Sequence, residues 1–184
     1  VSTSYTFAGS SGTYTEITGG TQLWGGNFQL DNFDNLVSSA QTIPSFNFNG
    51  TAYTSMYVST NGFITFGSAP TSTNFTPISG NEGYAGAISG FGADLENRSG
   101  FNAREVRWET IGNEVIIQWK GMRRQNLSEN FNFQIRLNTA TNAIAIIYGP
   151  RSTPDNATTF QPEVGLRGSS NLLLSNLNSR RVES

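Results

Sequence analysis

Three oxygen-bearing side chains that lie close together in the sequence, Asp94, Glu96 and Asn97, could do the chemistry of a metal site. Calcium and magnesium take several oxygen ligands, which a short acidic loop can supply. In an extended chain Asp94 and Glu96 point the same way, so both could face one ion. The sequence therefore predicts a structural calcium site here. The alternative is that Asp94 caps a turn or pairs with a nearby arginine.

Aromatic side chains beside glycines are candidates for binding carbohydrate. Trp24 stands in the segment LWGGN and Tyr84 in the segment GNEGY, and both segments are typical of loops. A flat aromatic face stacks on the apolar face of a sugar ring, while amide and charged groups bind its hydroxyls. Trp108 and Trp119 share strand faces with aliphatic residues, so we expect both in the core. Trp24 and Tyr84 are therefore the predicted aromatic ligand-binding residues.

Two adjacent arginines, Arg123 and Arg124, form a polar end to a predicted strand. Guanidinium groups bind carboxylates in planar, two-pronged contacts, so this pair could bind an acidic glycan or a protein partner. The alternative is a solvated hairpin loop with no ligand.

Catalysis by the common nucleophilic and metal-dependent routes is excluded by composition. The chain has no His and no Cys, which removes Ser-His-Asp and Cys-His catalysis, His/Cys zinc sites and disulfides. A glycoside hydrolase with two carboxylates remains possible, but it needs carboxyl groups about 5–10 Å apart across a sugar. The 13 acidic residues are scattered, so no catalytic residue is predicted and a non-enzyme is favoured.

Charge and composition indicate an extracellular β-protein. The net charge is -2 and Lys and Arg number only 11, which argues against nucleic acid as a partner. More than two residues in five are Ser, Thr, Asn or Gly, and aromatic residues make up 12%. The absence of Cys favours a secreted bacterial protein over a eukaryotic one. The sequence contains no run of 18 apolar residues, so no membrane span is predicted.

The hydrophobic pattern predicts an all-β fold, a two-sheet antiparallel sandwich of jelly-roll type. Residues 130–138 alternate strictly between apolar and polar side chains, as a strand with one buried face does. Asn49-Gly50 and Asn61-Gly62 each separate two strand-like segments and predict tight hairpins. One domain is expected over 1–170, with 171–184 as a terminal strand or a linker. The only helical expectation is a short helix over 34–40.

Five segments, taken in their order, resemble a β-sandwich domain found near the mature N-terminus of secreted and surface-attached proteins of Bacteroidetes, often exported by the type IX secretion route. More distantly they resemble nidogen-type extracellular domains. The resemblance implies an extracellular module of an adhesin or a multidomain hydrolase, and it implies no catalytic residue. The segments are 58–67 (VSTNGFITFG), 87–95 (AISGFGADL), 115–119 (VIIQW), 131–137 (FNFQIRL) and 144–149 (IAIIYG).

Together these observations predict a non-catalytic recognition or adhesion module on the cell surface or outside the cell. Its expected partner is a polysaccharide or a cell-surface glycan. One alternative is an assembly module of a surface fibre, or a spacer, that pairs with other copies or adjacent domains through strands near 5–7 and 172–174. The other alternative is the carboxylate-dependent glycoside hydrolase.

Overall fold

Two antiparallel sheets packed as a sandwich make up the described part of the chain. The computed structural model describes residues 5–25, 33–97, 104–152, 161–172 and 176–181. The first sheet is ordered β1-β7-β8-β9-β10, with β6 also paired to β8, and the second is ordered β12-β11-β5-β4-β3-β2. The first sheet's strands are β1 (Thr21–Gly25), β6 (Leu95–Asn97), β7 (Glu105–Ile111), β8 (Glu114–Arg124), β9 (Phe131–Asn138) and β10 (Ile144–Tyr148). The second sheet's strands are β2 (Gln41–Phe48), β3 (Thr51–Ser59), β4 (Phe63–Phe66), β5 (Gly86–Gly92), β11 (Glu163–Arg167) and β12 (Asn176–Arg181).

The core lies between the sheets, where the alternating apolar side chains of both meet. In β9 every second residue from Phe131 to Leu137 is buried, as the alternation predicts. Trp119 of β8 stacks on Phe133, with 5.0 Å between ring centroids, and its Nε1 donates to Ser59 O of the opposite sheet at 2.9 Å. The predicted sandwich is confirmed, and Trp119 is a core residue as expected.

Both Asn-Gly pairs form the predicted turns. Asn49 and Gly50 join β2 to β3 with φ of 51° and 81°, the positive values that this kind of turn requires. Gly62 joins β3 to β4 with φ of 86°. These turns fix which strands are neighbours, and so they place the ends of β3 and β4 beside the site described below.

The predicted helix and the predicted terminal segment both contain β-structure. The predicted helix over 34–40 is wrong, because Val37 instead forms a β-bridge with Ser59. Within the predicted terminal segment 171–184, residues Asn176–Arg181 form β12, which pairs with β11 as the outermost strand of the second sheet. Among the described residues, no helix is long and apolar enough to cross a membrane.

Candidate functional site

Tyr84 lies inside the protein, so the prediction that it presents an aromatic face to solvent is wrong. Its side chain is 1% exposed and its hydroxyl donates to Pro77 O. The guanidinium carbon of Arg167 lies 4.4 Å from the centroid of the ring. Burial raises the pKa of Tyr84 to about 12, although the nearby Arg167 charge acts in the opposite direction. Tyr84 therefore fixes a loop from within and offers no stacking surface.

Trp24 lies in a strand and not in a loop, which corrects the second aromatic prediction. It belongs to β1 and pairs with Val106 of β7, next to an irregularity in the register. Its side chain is half-buried and packs against the core cluster. The structure therefore gives Trp24 a packing role and does not place it beside the other candidates.

The two arginines form ion pairs within the protein, with carboxylates on two different segments. Arg123 Nε lies 2.8 Å from Glu96 Oε1. Arg124 Nε donates to both oxygens of Glu129, at 3.0 and 2.8 Å, and the Glu129 side chain is completely buried. Charge is already balanced at both guanidinium groups, so the structure gives no support to the acidic-glycan hypothesis.

Two of the three predicted metal ligands already accept hydrogen bonds from the protein. Glu96 Oε1 accepts from Asn126 N at 2.9 Å in addition to its ion pair, and Asn97 Oδ1 accepts from Phe33 N at 3.2 Å. Asp94 differs, because its buried Oδ1 has no hydrogen-bond partner among the described residues. Within the described ranges no group of three or more His, Cys, Asp or Glu side chains could hold a metal ion. The calcium site stays a prediction.

Asp94 lines an open cleft of about 460 Å³ at one end of the sandwich. One wall comes from residues 75–76 and the other from residues 124, 125 and 127 of the β8–β9 connection. Residues 92–94 lie between these walls, and residues 161 and 163 complete the lining. Of the predicted site residues, this cleft brings together only Asp94 and Arg124.

The cleft combines exposed apolar side chains with polar groups. Phe75 is 45% exposed and Leu127 is 36% exposed, so each presents an apolar surface at the wall. Burial raises the pKa of Asp94, and the charges of Asp34 and Glu96 raise it further. An apolar face beside an unpaired hydrogen-bond acceptor is the combination that holds a polyhydroxylated ring.

Asn61 ties the segment that leads into the Phe75 wall to the segment that follows Asp94. Its side-chain oxygen accepts from Leu95 N at 3.0 Å, and its amide nitrogen donates to Asn74 O at 3.0 Å and to Ser72 O at 3.3 Å. The same nitrogen also donates to Asn35 Oδ1 at 3.1 Å. Residues 72–74 lead directly into Phe75 and Leu95 follows Asp94, so this one amide sets the spacing between them.

Two buried charged residues of β11 hold the loop that carries Phe75. Glu163 accepts from Ile78 N at 2.7 Å and from Ser79 N at 3.1 Å. Arg167 donates to Gly80 O at 3.0 Å. These contacts cross more than 80 residues of sequence, and they hold the loop in place although it has no strand of its own.

Phe75 and Leu127 are cleft residues that the sequence prediction missed, whereas Gln125 belongs to the polar strand end that it had singled out. Gln125 Nε2 donates to Asp34 Oδ2 at 3.1 Å, at the rim of the cleft. An available signal was the presence of single large apolar residues, Phe75 and Leu127, in otherwise polar loop segments. Such residues at loop positions are exposed unless a neighbouring element covers them.

Comparison with known proteins gives a family match over nearly the whole chain. The family model described as NIDO related matches residues 4–184. No match was found among curated proteins or among solved structures.

Proposed function

The chain belongs to the NIDO-related family, and we propose that it is an extracellular, non-catalytic recognition domain that binds a glycan in the cleft beside Asp94. Family membership bears out the distant resemblance to nidogen-type domains. The origin in Bacteroidetes and the type IX export route stay predictions.

The juxtaposition of Phe75 and Asp94 carries this proposal. Phe75 lines one wall of the cleft and is 45% exposed, and Asp94 lies between the walls with a buried carboxylate oxygen that has no hydrogen-bond partner among the described residues. An aromatic ring offers stacking to the apolar face of a sugar, and a carboxylate accepts from its hydroxyls. A buried acceptor without a donor is costly, so a ligand hydroxyl that supplies the donor is favoured.

Charge around the cleft favours a neutral glycan over an acidic one. Among the described residues that line the cleft, Arg124 is the only basic one, and its guanidinium is already paired with Glu129. Asp34 and Glu96 lie close enough to raise the pKa of Asp94 after the larger effect of its burial. An anionic polymer would therefore meet unfavourable charge at Asp94. The proposed ligand is therefore neutral, in contrast to the acidic glycan that the arginine pair suggested from the sequence.

The hydrogen bonds of the carboxylates that line the cleft favour a binding role over hydrolysis. A glycosidase needs two carboxyl groups that act on one sugar, one of them able to donate a proton. Glu163, which lines the cleft together with Asp94, accepts hydrogen bonds from Ile78 N and Ser79 N and so fixes a turn. Its carboxylate is thus engaged in holding that turn, and the described lining offers Asp94 no other carboxyl group.

Affinity electrophoresis of the purified chain in gels that contain single polysaccharides tests this function. We expect retardation by one or more neutral polymers and none by acidic ones. Phe75→Ala should abolish the retardation because it removes the stacking face. Phe7→Ala should keep it, because Phe7 is a comparably exposed phenylalanine outside the cleft. Equal retardation of both variants would contradict the assignment of the cleft.

Asp94→Asn provides the second arm, in which folding and binding should change in opposite directions. The pKa of Asp94 is raised, so its ionised form is disfavoured in the native state at neutral pH, and the amide removes that penalty. The variant should be at least as stable as the parent at pH 7 and should bind more weakly. Repeating the gels with calcium and with a chelator tests the calcium prediction, since an ion bound at Asp94 would make retardation depend on calcium.

A further inference from the structure

Gln125 connects two acidic residues, Asp34 and Asp94, at the cleft. Its backbone nitrogen donates to Asp94 O at 3.0 Å, and its side-chain Nε2 donates to Asp34 Oδ2 at 3.1 Å. Asp94 and Gln125 both line the cleft, and Asp34 lies at the rim. One residue of the cleft wall therefore holds both acidic residues at the same part of the cleft.

Both acidic residues have a carboxylate oxygen that lacks a donor. The Oδ1 atoms of Asp34 and Asp94 are buried and have no hydrogen-bond partner among the described residues. In the described part of the chain neither carboxylate forms an ion pair. Buried acceptors without donors are costly, and more so when they carry charge. This part of the cleft therefore favours a ligand group that brings both hydrogen-bond donors and positive charge.

The guanidinium groups on the β8 side of the cleft are paired with other carboxylates. Arg123 Nε lies 2.8 Å from Glu96 Oε1, and Arg124 Nε donates to both oxygens of Glu129. Burial raises the pKa of Asp94, and the charges of Asp34 and Glu96 raise it further. This is the direction expected where negative charges lie close together without a cation between them.

Phe75 provides a surface that suits both a sugar ring and a cation. It is 45% exposed and lines the wall opposite Leu127. The face of an aromatic ring attracts a cation, because its π electrons make that face negative, and it also packs against the apolar face of a sugar. An amino sugar brings a ring and an ammonium group in one unit, so it matches the cleft better than either group alone.

We propose that the glycan bound in the cleft carries free amino groups and that Asp34 and Asp94 bind one of them as an ammonium ion. This proposal rests on the proposed function, since it places a sugar ring in the cleft, and it names a chemical class for that glycan. An ammonium group has three N–H donors and a positive charge, which are what the two carboxylates lack. A hydroxyl brings one donor and no charge, so a neutral glycan binds in the same cleft but more weakly.

Glycol chitosan and its fully N-acetylated form are the probes that test this proposal. They are soluble polymers with the same backbone, and they differ in whether the sugar nitrogen is a free amine or an uncharged amide. Affinity electrophoresis of the full chain is run at about pH 6, where amines are protonated. We expect glycol chitosan to retard the chain at about a tenfold lower concentration than its acetylated form, because hydrogen bonds between charged groups are stronger than neutral ones.

Asp34→Asn separates the bound ammonium group from the other contacts of the cleft. The variant keeps a side-chain oxygen that can accept from Gln125 but loses the charge, so the preference for glycol chitosan should disappear. Glu114→Gln is the matched control, since it removes the same charge from a side chain that is 40% exposed at the β7–β8 turn, outside the cleft. This control should keep the preference. Gels with poly-L-lysine, which has amines but no sugar ring, should retard the parent less than glycol chitosan does.

Three results would each overturn the proposal. They are equal retardation by the two polymers, equal loss of the preference in Asp34→Asn and Glu114→Gln, and retardation by poly-L-lysine as strong as by glycol chitosan. The last result would assign the two carboxylates to a basic polypeptide instead.

Gels with uncharged polysaccharides decide the proposed function separately. If one of them retards the parent but not Phe75→Ala, the cleft binds a glycan even where the amino group is refuted. If none does, and Phe75→Ala migrates as the parent does in every gel, the proposed function and this inference both fail.

Discussion

Removing the side chain of Asn61 should weaken the fold and the cleft together. Asn61→Ala removes the oxygen that accepts from Leu95 N and the amide nitrogen whose two N–H groups are shared among Asn74 O, Ser72 O and Asn35 Oδ1. Asn61 is fully buried, so water cannot simply replace the lost partners. The backbone bonds of the turn remain, including that from Ala93 N to Asn61 O.

The size of the effect follows from the three hydrogen bonds that one acceptor and two N–H groups can make. A neutral hydrogen bond contributes about 1 kcal/mol net, and a buried group left unpaired costs about 1–3 kcal/mol. We therefore expect Asn61→Ala to lower the free energy of unfolding by about 4 kcal/mol, a large part of the total stability of a domain. With a urea dependence of about 2 kcal/mol per molar, the midpoint should fall by about 2 M.

Urea denaturation followed by tryptophan fluorescence measures this difference. Asn113→Ala is the matched control, since Asn113 is an exposed asparagine in the turn between β7 and β8. Its substitution should change stability by less than about 0.5 kcal/mol. If the two variants shift the midpoint equally, the account of Asn61 as the residue that ties residues 72–74 to Leu95 is refuted.

Three further changes test other parts of the fold. Gly62→Ala should lower the free energy of unfolding by at least about 2 kcal/mol, because φ is 86° and an added Cβ would lie 2.2 Å from Phe91 O. An unchanged melting temperature would contradict this. Arg124→Met should lower the free energy of unfolding by about 3–5 kcal/mol, because it leaves the Glu129 carboxylate buried without its ion-pair partner. The double variant with Glu129→Leu should recover most of that loss. If denaturation shows that the losses of the two single variants simply add, the coupling is disproved. The hydroxyl of Tyr84 should ionise near pH 12 and not near pH 10. Its contribution to stability is therefore complete below pH 10 and is lost as the pH rises towards 12. An alkaline ultraviolet difference spectrum against Tyr84→Phe measures this, and ionisation near pH 10 would contradict it.

The fold was predictable because local patterns determine most of it. The strict alternation of β9 places Phe131 and Leu137 in the core, and the two Asn-Gly pairs mark their turns by a local requirement for positive φ. The helix expected over 34–40 failed where a bridge to β3 overrides the local preference. Such a bridge depends on tertiary contacts, which a short segment of sequence does not reveal.

The site was less predictable because its residues are positioned by partners far away in the chain. Tyr84 stands among glycines and looks like a loop residue, yet Arg167, 83 residues later, covers its ring. Gln134 stands at a polar position of an alternating strand, yet residues from the start of the chain bury it. Asp94 was recognised by its chemistry, but its neighbour in the cleft, Phe75, comes from a loop whose path is set by Glu163 and Asn61.

The central claim is that the cleft beside Asp94 binds a neutral glycan, and the most direct test is affinity electrophoresis of the parent chain beside Phe75→Ala and Phe7→Ala. The account predicts that at least one neutral polysaccharide retards the parent and Phe7→Ala while Phe75→Ala migrates as in an empty gel. Retardation of all three proteins, or retardation by acidic polymers alone, would contradict it.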